Sequence, residues 1–283
     1  MVSGTTLLVY LASQDSVLNV LDVALPIAEK LGSRLMGMHV VPKVPTYTSF
    51  GDPDAHDVQS KHEDALRSEA QDIERLFNSR INSGAGNYDY VWCSSKACFE
   101  DLAIDVSRAA DSADLIIMSQ DAADPFDAWP DLPARVILGS GRPVLLVPTS
   151  GSSEGVGKHP LVAWKQSTDR DLSATFDVMP LLLDAEVVNI FADHSGDETN
   201  QPNGAEDLAS NLARRNIKAI VNSKNLRSAR VWREIFFETT KCENDLFVLG
   251  CYDHFELRER LFGGDVRFLI KNMPVPVLVL EAR

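Results

Sequence analysis

The stretch DLIIMS at residues 114–119 returns as DLFVLG at residues 245–250. Both are continuous apolar runs of the kind found in strands of a parallel sheet that is covered on both faces. A second pair follows them, RPVLLVP at 142–148 and VPVLVLE at 275–281. The two pairs are offset by 131 and 133 residues, so they differ only by a small loop change. The sequence therefore predicts an internal duplication.

Strands and helices alternate outward from these runs in both halves. Apolar periodicity predicts further strands at 7–10, 34–41, 88–93, 160–164, 185–191 and 217–223. It predicts helices at 16–31, 61–80, 102–110, 172–183, 205–215 and 229–240. Parallel strands need helical crossovers, so the pattern predicts an α/β protein with two tandem, doubly wound, parallel five-stranded sheets. The Gly/Ser-rich stretch SGSSEGVGK at 150–158 divides the chain into domains 1–150 and 158–283.

Composition argues against several classes of partner. The 283-residue chain carries 41 acidic and 27 basic residues, a formal net charge of −14, which repels nucleic acid backbones and anionic lipid surfaces. No apolar run approaches the ~18 residues that would span a bilayer, and the N-terminus lacks the basic start of a signal peptide. The four cysteines show no paired C-x-x-C spacing. We expect a cytoplasmic protein with reduced thiols and no nucleic acid or membrane partner.

The segment at 250–280, GCYDHFELRERLFGGDVRFLIKNMPVPVLVL, resembles the universal stress protein family. Domains of that family carry the phosphate-binding pattern G-x2-G-x9-G-(S/T) after the fourth strand, then a helix and a P-V-L-V strand. Gly250, Asp253, Gly263 and Gly264 keep this spacing. The resemblance covers nearly the whole chain and implies the strand order 3-2-1-4-5. It also implies an adenine nucleotide, ATP, ADP or AMP, as a possible ligand.

Two residue types in the pattern differ from the family. Asp253 replaces the second glycine, and a carboxylate there opposes a polyphosphate by like-charge repulsion. Gly264 replaces Ser or Thr. The family's acidic residue after the first strand is Lys165 in the second half, where a cation would attract an anion. The variant form resembles the last domain of tandem members, so the candidate nucleotide-binding residues are Lys165, Gly250, Tyr252, His254, Arg258, Gly263, Gly264 and Arg267.

The first half departs further from the pattern. Its equivalent of the acidic position is Leu11, and only Ser13 of that turn remains in register. The stretch 120–133 lacks the glycines and contains several aspartates and prolines. We expect the first domain to keep the fold without a phosphate site.

Structural explanations compete with the functional ones. A Gly-Gly pair before a helix is often only a tight turn, and Tyr252 and His254 suit loop packing. No metal site is expected, because Asp253 and His254 lack two further ligands at a recognisable spacing. The motifs of P-loop, dinucleotide, serine hydrolase and zinc protease sites are missing, so we expect no catalysis.

Two functions from different classes remain. The first is a non-catalytic stress or signalling protein that binds an adenine nucleotide. The second is a ligand-free scaffold for protein contacts, and an electron-transfer flavoprotein subunit is a weaker third. In the family the fifth strand lies at the sheet edge and pairs with another domain's fifth strand. The apolar P-V-L strands of the two halves therefore favour such pairing within the chain, and self-association as a dimer is also expected.

Overall fold

The computed structural model describes residues 4–43, 55–84, 88–97, 102–120, 132–149, 155–165, 179–193, 204–224, 236–237, 244–252 and 271–281. The chain divides into two compact units, Met1–Ser140 and Gly141–Arg283. Among the described helices, none combines the length and the apolar character needed to cross a membrane.

The first unit is a parallel sheet with helices between its strands. The strand order is β3-β2-β1-β4, and the described strand pairs run parallel. Its strands are β1 (Thr6–Tyr10), β2 (Arg34–Pro42), β3 (Tyr90–Ala97) and β4 (Leu115–Ser119). Its helices are α1 (Val17–Leu31), α2 (Ala55–Ser83), α3 (Leu102–Ala110) and α4 (Leu132–Ser140), with a 3-10 turn at Gln14–Ser16 before α1.

The second unit repeats this plan. Its strands are β5 (Val144–Val147), β6 (Pro160–Lys165), β7 (Val188–Asp193), β8 (Ala219–Lys224), β9 (Leu246–Tyr252) and β10 (Val277–Glu281). Its described helices are α5 (Met179–Leu182) and α6 (Ala205–Ala213). The order is β5-β10-β9-β6-β7-β8, parallel except for the antiparallel pair of β5 and β10.

These arrangements confirm the predicted α/β class. The first unit shows the order 3-2-1-4, and β8-β7-β6-β9-β10 of the second unit shows the full order 3-2-1-4-5. The central strands are the continuous apolar runs, and all residues of β4 and β5 are buried. Burial on both faces removes the selection for alternating polar residues, which is why these strands were the clearest in the sequence.

The predicted elements differ from the observed ones mainly at their ends. Helix α3 has the predicted bounds, whereas β3 runs over Tyr90–Ala97 instead of 88–93. Its polar end, Ser94 to Lys96, pairs in register with β2, so backbone hydrogen bonding extends the strand beyond its apolar part. Most of the helices predicted at 172–183 and 229–240 lies outside the described residues.

The two P-V-L strands pair as expected. Within the second unit Val277 lies opposite Leu146, and Leu278 lies opposite Leu145. Leu278 and Leu145 are fully buried. The antiparallel pair therefore covers two apolar strand edges that would otherwise invite association with other chains.

An aspartate before the fourth strand of each half ties the sheet together. The carboxylate of Asp114 accepts a hydrogen bond from the Thr6 backbone N–H at 2.8 Å. Its counterpart Asp245 accepts three, from Gly157 at 3.2 Å, Lys158 at 2.7 Å and His159 at 3.0 Å. The repeated aspartate thus satisfies backbone donors where the first strand of each half begins, and its recurrence has a structural cause.

Candidate functional site

The second unit contains a topological switch point at the carboxyl ends of β6 and β9. From β6 the chain passes to β7 and β8 on one side, and it returns to β9 on the other. In doubly wound sheets the crossovers lie on opposite sides of the sheet at such a point, and a crevice forms beyond the strand ends. Ligands of open parallel sheets bind in such crevices.

Three of the eight predicted site residues lie on these strands. Lys165 is the last residue of β6, and Gly250 and Tyr252 belong to β9. Ala163 is level with Leu249, so the backbone brings Lys165 and Gly250 to the same edge of the sheet. The other five, His254, Arg258, Gly263, Gly264 and Arg267, lie outside the described residues and stay predictions.

Two charged residues at this edge were not expected from the sequence. Lys165 is level with Asp193 at the end of β7, and Asp193 is level with Lys224 at the end of β8. Positions of opposite charge therefore alternate across three neighbouring strand ends. The register of these three residues depends on the lengths of the crossovers between the strands. In the sequence, the only hint is that each residue lies one or two positions after the end of a predicted strand.

The start of α6 packs against the end of β6. Trp164, which precedes Lys165, is buried, and a Cβ at Gly204 would lie 3.3 Å from its ring. Gly204 has a left-handed backbone with φ of 69°, a conformation that glycine adopts without strain. Glu206 and Asp207 lie in the first turn of α6, so their carboxylates already interact favourably with the positive end of the helix dipole. An anion at this edge is therefore better placed towards β9.

The matching edge of the first unit is built differently. Leu11, after β1, is completely buried. Its backbone N–H donates to the Met38 carbonyl at 2.9 Å, and its carbonyl accepts from Nδ1 of His39 at 2.7 Å. Ser13, the one residue of the family's turn that remains in register here, accepts hydrogen bonds from Ser16 through its carbonyl. At this position apolar packing and internal hydrogen bonds replace the family's acidic side chain.

Burial lowers the pKa of His39 below its ordinary value of 6.5, although the hydrogen bond to Leu11 and the carboxylate of Glu69 oppose the shift. His39 is therefore neutral at pH 7, with its proton on Nδ1 because the Leu11 carbonyl can only accept. Nε2 is left as the acceptor nitrogen of the ring.

A pH-dependent stability follows from His39. Below about pH 6.5 the unfolded chain binds a proton at this residue that the folded chain does not. The free energy of unfolding therefore decreases as the pH is lowered. The loss reaches at most about 1.4 kcal/mol per pH unit, down to the lowered folded pKa. In His39→Gln, which keeps a donor for Leu11, we expect the His39 contribution to be lost, so that the free energy of unfolding of the chain in urea depends less steeply on pH than in the wild type. An unchanged slope would contradict the assignment.

Among the described residues there is no group of three His, Cys, Asp or Glu side chains that could hold a metal ion. In that part of the chain, the groups available to a ligand at the carboxyl ends of β6 and β9 are backbone N–H and C=O groups and the charged residues at the strand ends, Lys165, Asp193 and Lys224.

Comparison with known proteins identifies the fold. No family model and no curated protein matches the chain. A universal stress protein from Archaeoglobus fulgidus is similar over 98% of this chain and 96% of its own, with 17% identity and a TM-score of 0.61. A putative universal stress protein from Pseudomonas aeruginosa is similar over 98% and 92%, with 14% identity and a TM-score of 0.57.

A third similar structure is part of a transport protein. The cytoplasmic domain of a prokaryotic cation chloride cotransporter matches 98% of this chain and 95% of its own, with 12% identity and a TM-score of 0.50. At sequence identities of 12–17%, these similarities show the fold alone. The family resemblance is thus confirmed at the level of the fold: the chain has the tandem fold of universal stress proteins.

Proposed function

We propose that the chain is a non-catalytic universal stress protein that binds one adenine nucleotide, at the carboxyl edge of β6 and β9. The observation that carries the proposal is the position of Lys165 and Gly250 on neighbouring strands at the switch point of the second unit. The spacing from Gly250 to Gly263 and Gly264 follows in sequence, as in the family's phosphate-binding pattern.

Each part of the candidate site has a physical role in this proposal. Lys165 would supply the positive charge that a phosphate group needs on a chain with a net charge of −14. Gly263 and Gly264 would let backbone N–H groups approach phosphate oxygens, because glycine has no Cβ. Tyr252, His254, Arg258 and Arg267 would complete the surroundings of the nucleotide.

The first unit is proposed to bind no nucleotide at its equivalent edge. The buried Leu11 and the hydrogen bond between its carbonyl and His39 support this, since the position equivalent to Lys165 holds an apolar side chain. The missing glycines at 120–133 agree with it. The proposal therefore assigns one nucleotide to each chain.

A ligand-free scaffold is the second candidate. Asp193 on β7 is level with Lys165 on β6, so a residue of opposite charge is its neighbour in register. Asp253 adds a carboxylate in the phosphate-binding pattern. If both carboxylates dominate, the edge repels phosphate, and the fold would serve protein contacts or self-association alone. In either case we propose a cytoplasmic location.

Thermal unfolding with ATP, ADP and AMP separates the two candidates. At a hundredfold excess over its dissociation constant, a nucleotide stabilises the native state by about 2.7 kcal/mol. We expect such a shift in the wild type, its loss in Gly263→Asp, and an affinity about tenfold lower in Lys165→Gln, since one charge contact is removed.

Lys158→Gln is the matched control. Lys158 is exposed and lies before the amino end of β6, away from the proposed site. This variant should bind as the wild type does. If millimolar nucleotide produces no shift in the wild type, the scaffold is favoured. If Gly263→Asp binds with unchanged affinity, the assigned site is wrong.

A further inference from the structure

A cleft of about 490 Å³ lies in the first unit between α2 and the carboxyl ends of β2 and β3. The α2 residues that line it are three or four positions apart, so they share one face of the helix. The strand residues share one face of the sheet, since His39 is level with Ser94 and Val41 with Lys96. Its volume falls in the range of small-molecule sites.

An aromatic cluster forms the base of this cleft. Trp92 lines the cleft and packs on Phe77, with ring centroids 5.0 Å apart at 40°. Phe77 is fully buried and also meets Tyr90 edge to face at 5.9 Å. Gly37, level with Trp92, makes room for both rings, because a Cβ there would lie 2.5 Å from Phe77 and 2.8 Å from Trp92. The position of the indole is therefore fixed by packing.

The indole N–H of Trp92 needs an acceptor. Nε1 is buried and has no hydrogen-bond partner among the described residues. Buried N–H groups are nearly always paired in native proteins, and an unpaired one is costly. Because Nε1 is closed to solvent, a molecule in the cleft contacts Trp92 through its ring carbons. Leu66 and Pro42, both buried, give the same cleft apolar walls.

The mouth of the cleft carries positive charge. Lys43 directly follows β2 and Lys96 lies near the end of β3; both are exposed, and neither forms an ion pair with any described residue. The lining Arg67 is 3.4 Å from Asp64, and Glu63 accepts a hydrogen bond from Gln59. The other lining carboxylate, Glu74, is eleven residues along α2, about 16 Å from Glu63 by helical rise. Two lysines without partners in the described structure thus stand at the mouth of a cleft on an acidic protein.

We propose that this cleft binds a small aromatic carboxylate. The ring lies against Trp92, Leu66 and Pro42, and the carboxylate meets Lys43 and Lys96. Among the described residues, none that directly follows β1 or β4 lines the cleft, so it is separate from the edge at which nucleotides bind in this class of sheet.

The test uses the full chain labelled with ¹⁵N at its four tryptophan indoles. The probe is 2-naphthoate, and its neutral counterpart is 2-naphthalenemethanol. The Trp92 signal is assigned by its loss in Trp92→Phe. We expect 2-naphthoate to shift this signal saturably while the other three indole signals stay in place. The neutral compound should bind at least about tenfold more weakly, because it cannot engage the lysines.

Substitutions at the mouth complete the test. Lys43→Gln combined with Lys96→Gln should weaken 2-naphthoate binding about tenfold or more. The control is Lys61→Gln, which removes an exposed lysine of α2 that pairs with Asp57 at 2.7 Å and does not line the cleft. It should leave affinity unchanged. The proposal is overturned if millimolar 2-naphthoate leaves the Trp92 signal in place, or if the double variant binds as tightly as the wild type.

Discussion

Leu278→Asp should lower the free energy of unfolding by more than about 4 kcal/mol, the largest loss expected for a single substitution in this chain. Leu278 is fully buried in β10, level with Leu145 of β5 and Val248 of β9. Aspartate there loses the apolar contacts of leucine and places an unpaired carboxyl group in the buried layer on one face of the sheet. Urea unfolding, followed by circular dichroism, measures the loss.

Leu183→Asp is the matched control for this substitution. Leu183 is 50% exposed, so the same chemical change leaves the carboxylate in water. We expect a loss within about 0.5 kcal/mol of zero, as is usual for surface substitutions. Equal losses for Leu278→Asp and Leu183→Asp would show that the pairing of β5 with β10 does not form.

Gly37→Ala should destabilise the first unit by about 2 to 3 kcal/mol, since overpacking a filled core forces side chains or backbone to move. The new methyl group would lie 2.5 Å from Cζ and 2.6 Å from Cε2 of Phe77. The ring cannot easily retreat, because Phe77 is fully buried against Tyr90 and Trp92. The same change in the exposed Gly139 of α4, where the nearest atom is Ser107 Oγ at 3.1 Å, should be far milder.

A second substitution identifies the cause of that loss. Phe77→Leu removes the two ring atoms that meet the new methyl group, so the double variant Gly37→Ala with Phe77→Leu should lose less stability than the two single losses combined. Strictly additive losses would mean that the close approach of Gly37 to Phe77 is not the reason. The same measurement bears on the cleft, because this contact also positions Trp92.

The parts of the fold that could be predicted are those with a strong local signal. The runs that became β4 and β5 are apolar throughout because both of their faces are buried, and α3 has a clear helical period. The polar end of β3 could not be predicted, since Ser94 and Lys96 join the strand only by pairing with β2. The local sequence pattern does not predict secondary structure where pairing with a strand distant in sequence determines it.

The candidate site shows the same division. Lys165 and Gly250 could be placed at strand ends from the sequence, and the structure brings them to one edge. The position of Asp193 beside Lys165 depends on the register of β6 with β7, which the crossover between them sets. The cleft under α2 was missed entirely, because Lys43, directly after β2, and Trp92, on β3, line one cleft only through the pairing of β2 with β3.

The central claim is that the two copies of the fold are unequal and that only the second binds a nucleotide. Isothermal titration calorimetry of the full chain with ATP tests it most directly, because the stoichiometry is read without assumptions about stability. We predict one nucleotide per chain, with binding lost in Gly263→Asp. Two nucleotides per chain, or none, would contradict the account.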